Sequence, residues 1–148
     1  MRLFLDTNVF IEYLCGRSKA TIVRDLLDVI EDKEHQAFFS TSSLCTIAYY
    51  VDITLSHRGI HKPEKTDKIR EILNLILGIA TIADINHSHS ISATNDQAFS
   101  DIEDSVQYQC ALSSQCEVLI TFNVRDFKNV TDMKVMTPEE FLLSINKR

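Results

Sequence analysis

Short apolar segments alternate with longer amphipathic ones along this chain of 148 residues, and this alternation constrains the fold most. Residues 37–41 and 118–121 are typical of buried strands, whereas residues 22–30 carry apolar side chains at helical spacing. Strands that alternate with helices favour a parallel sheet, because two parallel neighbours need a long crossover between them. We therefore expect an α/β fold with three α/β/α layers and a central, mainly parallel sheet of four to five strands.

The predicted elements follow one another without a linker, repeat or low-complexity tract, so we expect a single domain over residues 1–148. The predicted strands are residues 3–5, 37–41, 80–85, 118–121 and 134–136. The predicted helices are residues 8–16, about 18–30 with Ser18 as its cap, 43–56, about 63–79, 90–100, 101–115, and a last helix that Thr137 and Glu140 start as a capping box.

The composition excludes several classes of protein. No apolar stretch reaches the roughly 18 residues of a membrane span, and Asp6 and Glu12 interrupt any signal peptide, so we expect a cytoplasmic protein that does not enter a membrane. Only three scattered glycines are present, which excludes a P-loop and a dinucleotide fingerprint. The net charge of -6 disfavours a nucleic-acid coat protein, but it is compatible with a nuclease whose carboxylates bind metal ions.

A first polar cluster, Asp6, Thr7 and Asn8, follows the first predicted strand. In an open α/β sheet, ligands bind at the carboxyl ends of the strands. Two explanations stay open for Asp6: it caps the next helix, or it is a metal-binding carboxylate that Thr7 and Asn8 orient.

A second cluster lies at the start of the helix predicted for residues 101–115. Asp101 and Asp104 are three positions apart and point to one side of a helix, whereas we expect Glu103 to lie elsewhere on it, in solvent. Capping explains one acid, Asp101, but two acids on one face repel each other unless a cation or a proton lies between them. A metal site is therefore the second explanation for this pair.

A third cluster follows the fourth strand. Thr121, Asn123 and Asp126 leave the same sheet edge as Asp6 if the strands are parallel. We expect Arg125 to be a solvated loop charge, with a phosphate contact as the alternative. Carboxylates that converge in this way suit Mg²⁺ or Mn²⁺, which activate water and neutralise a phosphodiester as it breaks.

Four segments, read together, resemble the PIN domain over essentially the whole chain. They are residues 3–9 (LFLDTNV), 100–108 (SDIEDSVQY), 120–127 (ITFNVRDF) and 137–141 (TPEEF). The resemblance implies a metal-dependent endoribonuclease that cleaves single-stranded RNA with Mg²⁺ or Mn²⁺. Small stand-alone members are commonly VapC-type toxins, which implies a homodimer and a neutralising antitoxin partner.

The resemblance also implies the site residues. The catalytic acids are Asp6, Asp101, Asp104 and Asp126, of which Asp6, Asp104 and Asp126 hold the metal. The residues that support them are Thr7, Asn8, Thr46, Thr121 and Asn123.

One departure from the family concerns the helix after the second strand, where many PIN domains carry a glutamate. Residues 42–50 contain no acid, and Thr46 takes that place. A degenerate PIN domain that binds RNA or protein without catalysis is therefore the alternative function. A receiver-like signalling domain fits less well, because the fourth strand ends in Thr121 where such a domain has a lysine.

Two further motifs favour structural explanations. We expect His87 and His89 to lie in a polar loop rather than at a metal site. We expect Tyr49 and Tyr50 to belong to the core rather than to a base-stacking platform, with a dimer contact as the alternative.

Overall fold

The computed structural model describes residues 1–146, and for residues 33 and 34 it describes the backbone only. Its five strands form one sheet in the order β3-β2-β1-β4-β5, and every neighbouring pair is parallel. The strands are β1 (Arg2–Leu5), β2 (Gln36–Ser40), β3 (Ala80–Ala83), β4 (Val118–Ile120) and β5 (Lys134–Met136). The predicted parallel sheet is confirmed.

The described residues contain seven α-helices, and none of these is both long enough and apolar enough to cross a membrane. The helices are α1 (Thr7–Leu14), α2 (Ala20–Val29), α3 (Thr41–His57), α4 (Glu64–Ile79), α5 (His87–Asn95), α6 (Ile102–Ser113) and α7 (Pro138–Ile145). A π-helical turn (Ile30–Glu34) extends α2, and a 3₁₀ turn (Val124–Phe127) follows β4. The capping box of Thr137 and Glu140 is present at α7.

Two predicted helix starts are wrong. Ser18 does not cap α2: that helix begins after Lys19, whose backbone N–H donates to the Glu12 carboxylate over 3.2 Å. Helix α5 begins three residues earlier than expected, because the Asn86 side chain accepts a hydrogen bond from the backbone N–H of His89 (2.9 Å). His87 and His89 therefore lie in the first turn of a helix and not in a loop.

The sheet has a hydrophobic core on each face, as a three-layer α/β/α fold requires. Leu3 and Leu5 face the core formed with α1, α2, α3, α4 and α7, whereas Phe4 between them faces the core formed with α6. Helix α5 packs beside α6, where the Ser105 hydroxyl donates to the Ala93 carbonyl over 2.7 Å. The predicted layer architecture is confirmed.

The strand register brings three polar residues together at the carboxyl edge of the sheet. Leu5 pairs with Ile120, so Asp6 and Thr121 leave β1 and β4 side by side. Ser40 ends β2 on the other side of β1, since Phe4 pairs with Phe38. The fold thus places these three side chains at the centre of one edge.

Candidate active site

Asp6 is buried, with 5% of its surface exposed, and its carboxylate accepts four hydrogen bonds. Oδ1 accepts from the backbone N–H of Thr7 (2.7 Å) and from Nε2 of Gln107 (3.2 Å). Oδ2 accepts from Nδ2 of Asn8 (2.9 Å) and from the hydroxyl of Thr121 (2.7 Å). Asp6 does cap α1, as the first explanation requires, but three of its four donors are side chains that a cap does not need.

Gln107 connects Asp6 to the start of α3, a role that the sequence did not indicate. Its side chain is fully buried, and Nε2 also donates to the hydroxyls of Thr7 and Ser43, each over 2.8 Å. Its Oε1 accepts a hydrogen bond from the Ser40 hydroxyl. No buried side-chain nitrogen or oxygen in the described part of the chain lacks a partner, so this network holds Asp6 in a fixed orientation.

An open cleft of about 330 Å³ lies beside Asp6, and five carboxylates line it. The carboxylates belong to Asp6, Asp101, Glu103, Asp104 and Asp126. The other lining residues are Thr7, Asn8, Ile11, Arg17, Thr46, Tyr50 and Asn123. Every predicted site residue therefore lies at this cleft except Thr121, which is fully buried behind Asp6.

Burial and nearby negative charge raise the pKa values of three carboxylates of the cleft, those of Asp6, Glu103 and Asp104. Burial, followed by the negative charges of Asp6, Asp101, Asp126 and Glu103, raises the pKa of Asp104 to about 7. Burial also raises the pKa of Asp6, and the hydrogen bonds that it accepts from Thr121, Gln107 and Thr7 partly oppose this shift. Among the side chains of residues 1–32 and 35–146, no lysine, arginine or histidine forms an ion pair with any of the five acids. The cleft thus carries negative charge that the described residues leave unpaired.

Glu103 is exposed, as expected, but its expected position away from the other acids is wrong. Helix α6 begins at Ile102, so Glu103 lies in its first turn, where its side chain lines the cleft. Burial and the charges of Asp6 and Asp101 raise its pKa. Asp101 is the N-cap of this helix and accepts a hydrogen bond from the backbone N–H of Glu103 (2.8 Å), so Asp101 both caps the helix and lines the cleft.

The loop after β4 brings the third cluster to the cleft. The backbone N–H of Asn123 donates to the Thr121 hydroxyl over 3.0 Å, which fixes the start of the loop. Phe127 is buried and anchors its end, whereas Asp126 is exposed and faces the cleft. Arg125 is exposed, as expected, and is not among the residues that line this cleft.

The first turns of α3 contribute no acid to the cleft. Thr46 lines it at the place of the expected glutamate, and its hydroxyl donates to the backbone carbonyl of Ser42 (3.1 Å). Asp52, two turns further on, pairs instead with Lys65 (3.1 Å). The core position expected for Tyr49 and Tyr50 is wrong, because their exposed fractions are 63% and 37%.

The donor chemistry of the cleft fits a hydrated divalent cation. From the groups that the structure describes, the carboxylates of Asp104 and Asp126 accept no hydrogen bond, so their oxygens are free to bind an ion, whereas all four acceptor positions of Asp6 are occupied. In the same part of the chain, no three His, Cys, Asp or Glu side chains lie close enough together to hold a metal. Mg²⁺ does not need such a cage, because it usually binds one or two carboxylates and keeps several waters.

Comparison with known proteins agrees with this fold. The family model described as the PIN domain matches residues 2–125, a range that includes four of the five acids and ends one residue before Asp126. No curated protein matches the chain significantly. Because the match covers most of the sequence, and because the parallel sheet has helices on both faces, this chain belongs to the PIN domain family, whose members are generally nucleases that use divalent metal ions.

Proposed function

We propose that this protein is a metal-dependent endoribonuclease that cleaves single-stranded RNA. The observation that carries the proposal is a cleft with five carboxylates, none of which forms an ion pair with a side chain that the structure describes. Such a cleft repels a polyanion until cations bind. Membership of the PIN family supports nucleic acid as the substrate class.

In this proposal, Asp104 and Asp126 bind Mg²⁺ or Mn²⁺ through their free oxygens, with Asp101 beside them. Asp6 joins as the third ligand when the bound ion draws these carboxylates closer together than the structure has them. The bound ion would activate a water and stabilise charge on the phosphodiester. Thr121, Asn8 and Gln107 hold Asp6 in orientation. Asp6 becomes a direct ligand once one of its donors gives way, and Asn8 is the most exposed donor residue.

Cleavage assays test the proposal directly. The purified protein, incubated with single-stranded and duplex RNA in Mg²⁺, in Mn²⁺ and in EDTA, is expected to cut the single strand only when metal is present. Asp6→Asn and Asp104→Asn are expected to abolish cutting, whereas Asp28→Asn removes an exposed carboxylate on α2 and leaves it unchanged. Cleavage that survives chelation, or no cleavage with either metal, contradicts the proposal.

The biological role proposed here is that of a VapC-type toxin: a cytoplasmic homodimer of one domain per chain, neutralised by an antitoxin protein. Leu75 and Leu77 on α4, which are 65% and 44% exposed, support a contact between two copies. Sedimentation of the wild type beside a Leu75→Ser variant tests the dimer. A small DNA-binding protein encoded directly upstream, which binds this chain and stops cleavage, would establish the toxin role, whereas its absence would argue against that role.

A degenerate PIN domain that binds without cutting is the second candidate. Thr46 favours it, because α3 supplies no carboxylate to the cleft and fewer fixed charges weaken metal binding. Calorimetric titration with Mn²⁺ separates the two candidates. Metal binding that Asp104→Asn removes supports the nuclease, and no binding at millimolar Mn²⁺ supports the degenerate domain.

A further inference from the structure

We propose that Tyr50 and Arg17 form a subsite that stacks one unpaired nucleobase at the side of the acidic cleft. The proposal rests on the proposed function, because it names the part of the substrate that this side of the cleft binds. It is carried by the exposure of an aromatic ring within a site that is otherwise lined mainly by acids and small polar side chains.

The two residues reach the cleft from different elements. Tyr50 lies one helical turn after Thr46 on α3, so both side chains line the cleft. Gly16, with φ at +63°, turns the chain after α1, and the backbone N–H of Arg17 returns to the Glu12 carbonyl (2.9 Å). The Arg17 guanidinium then lies 5.8 Å from the centre of the Tyr50 ring.

The charges around the cleft explain why these two residues would meet the substrate. Among the side chains that the structure describes, Arg17 is the one basic residue that lines the cleft. Arg17 therefore attracts the phosphates of a polyanion, whereas the acids repel them until metal binds. Its contact with the exposed Tyr50 ring is weak, so the guanidinium can move to a phosphate while a base takes its place on the ring. Stacking of this kind accepts any base, because every base has a π-face.

Tyr49 provides a matched control on the same helix. Its ring meets that of Tyr50 edge to face, with centroids 5.5 Å apart, but Tyr49 does not line the cleft although it is more exposed. A contact between protein copies would engage the most exposed ring, Tyr49, whereas a base bound beside the acids would engage Tyr50. The position of Tyr50 therefore favours RNA over a protein partner.

The experiment measures, by anisotropy, the affinity of fluorescent single-stranded RNA decamers with cleavage-resistant phosphorothioate linkages for the otherwise wild-type chain in Mg²⁺, which is the parent for the variants below. One decamer is intact, and the others carry a single abasic position each. Tyr50→Ala is expected to raise the Kd of the intact decamer about 10- to 100-fold, the usual effect of one lost stacking contact. One of the abasic decamers is expected to bind the parent chain with a similarly raised Kd. Tyr50→Ala is expected to bind that decamer and the intact decamer with equal Kd. Tyr50→Phe and Tyr49→Ala are expected to stay within about twofold of the parent.

A second readout covers the case in which Tyr50→Ala does not fold. The chain contains no tryptophan, so tyrosine emission is visible, and RNA is expected to quench it in the parent but much less in Tyr50→Phe. The subsite would be overturned if Tyr50→Ala left the Kd unchanged, or if Tyr49→Ala and Tyr50→Ala lost RNA affinity equally. It would also be overturned if Tyr50→Ala lowered the affinity for the intact decamer and for every abasic decamer by the same factor. A changed oligomeric state of Tyr50→Ala with RNA affinity intact would assign the ring to a protein interface.

Wild-type cleavage, measured separately, distinguishes this proposal from the proposed function. If RNA binds through Tyr50 but is not cut with either metal, the nuclease proposal is contradicted and the subsite is supported. If the wild type and Tyr50→Ala cut RNA equally well and bind it with the same Kd, only the subsite is contradicted. A chain that binds no RNA at all contradicts both.

Discussion

The charge of Asp104 is the residue-scale feature that most affects the cleft, because four other carboxylates face the same space. Its pKa is raised from 3.8 in the unfolded chain to about 7 in the fold. Between these two values the folded protein holds a proton that the unfolded chain has lost. The free energy of unfolding contributed by this group is therefore greatest below pH 4 and falls as the pH rises to 7.

Asp104→Asn removes this penalty. In EDTA at pH 8, the variant is expected to be more stable than the wild type by about 1 kcal/mol, a figure reduced for solvent screening of a partly exposed group. The advantage disappears at pH 4, where the wild-type carboxyl group is protonated. Urea unfolding at both pH values measures the difference, with Asp28→Asn as the control. An advantage that is the same at pH 4 and pH 8 would rule out charge repulsion as its cause.

Gln107 is the residue on which the orientation of Asp6 depends. Gln107→Leu keeps the volume but removes one hydrogen-bond partner from each of the buried Ser40, Ser43 and Thr7 hydroxyls, and one donor from Asp6. We expect the free energy of unfolding to fall by about 2–3 kcal/mol, the range for buried polar groups that lose their partners. Urea unfolding measures it.

Gln109→Leu is the matched control, because Gln109 lies on the same helix and its amide makes no hydrogen bond within residues 1–146. Gln107→Leu is also expected to shift the pH dependence of Mn²⁺ binding to higher pH, since Asp6 loses a donor that favours its ionised form. If the two variants lower the free energy of unfolding equally, and the pH dependence of Mn²⁺ binding does not shift, then Gln107 has no specific role in orienting Asp6.

At the scale of elements, the first turn of α6 combines a helix cap with a cluster of acids. Asp101→Ala removes the cap and is expected to lower the free energy of unfolding by about 1 kcal/mol, whereas Asp101→Asn keeps it. Both variants remove the charge, so both are expected to weaken Mn²⁺ binding alike. Thermal unfolding and calorimetry check the two effects. If Asp101→Asn binds Mn²⁺ as the wild type does, Asp101 is a cap and nothing more.

The same element illustrates what the sequence could and could not predict. The spacing of Asp101 and Asp104 and the alternation of strands and helices depend on local periodicity, so the acids, the sheet and its direction were predictable. The role of Gln107 was not predictable, because its partners Asp6 and Ser43 are 101 and 64 positions away in sequence. Only the fold shows that this polar side chain is buried beside them. The start of α5 was missed because its cap, Asn86, lies four residues before the predicted start at Ser90.

At the scale of the whole molecule, strand order determines which clusters meet. The central strands β1 and β4 are neighbours, and β2 lies on the other side of β1, so clusters more than 100 residues apart in sequence share one edge. Helix α6 covers the second face and brings its acidic first turn to that edge. The negative charge is therefore concentrated at one cleft, where cation binding and the stability of the whole fold are coupled.

This coupling predicts that Mg²⁺ stabilises the folded protein. At a concentration 100 times its Kd and at pH 8, the ion is expected to raise the Tm by about 5–10 °C, which corresponds to about 2.7 kcal/mol for a domain of this size. The rise is expected to shrink at pH 5.5, because Asp104 is then largely protonated and the ion must displace its proton. Thermal unfolding followed by circular dichroism measures both values, with NaCl of equal ionic strength as the control for screening.

Asp104→Asn and Asp126→Asn are expected to lose most of the rise in Tm, whereas Asp28→Asn keeps it. A rise that NaCl reproduces, or one that all three variants share, would locate the effect in the overall charge of -6 and not in the cleft.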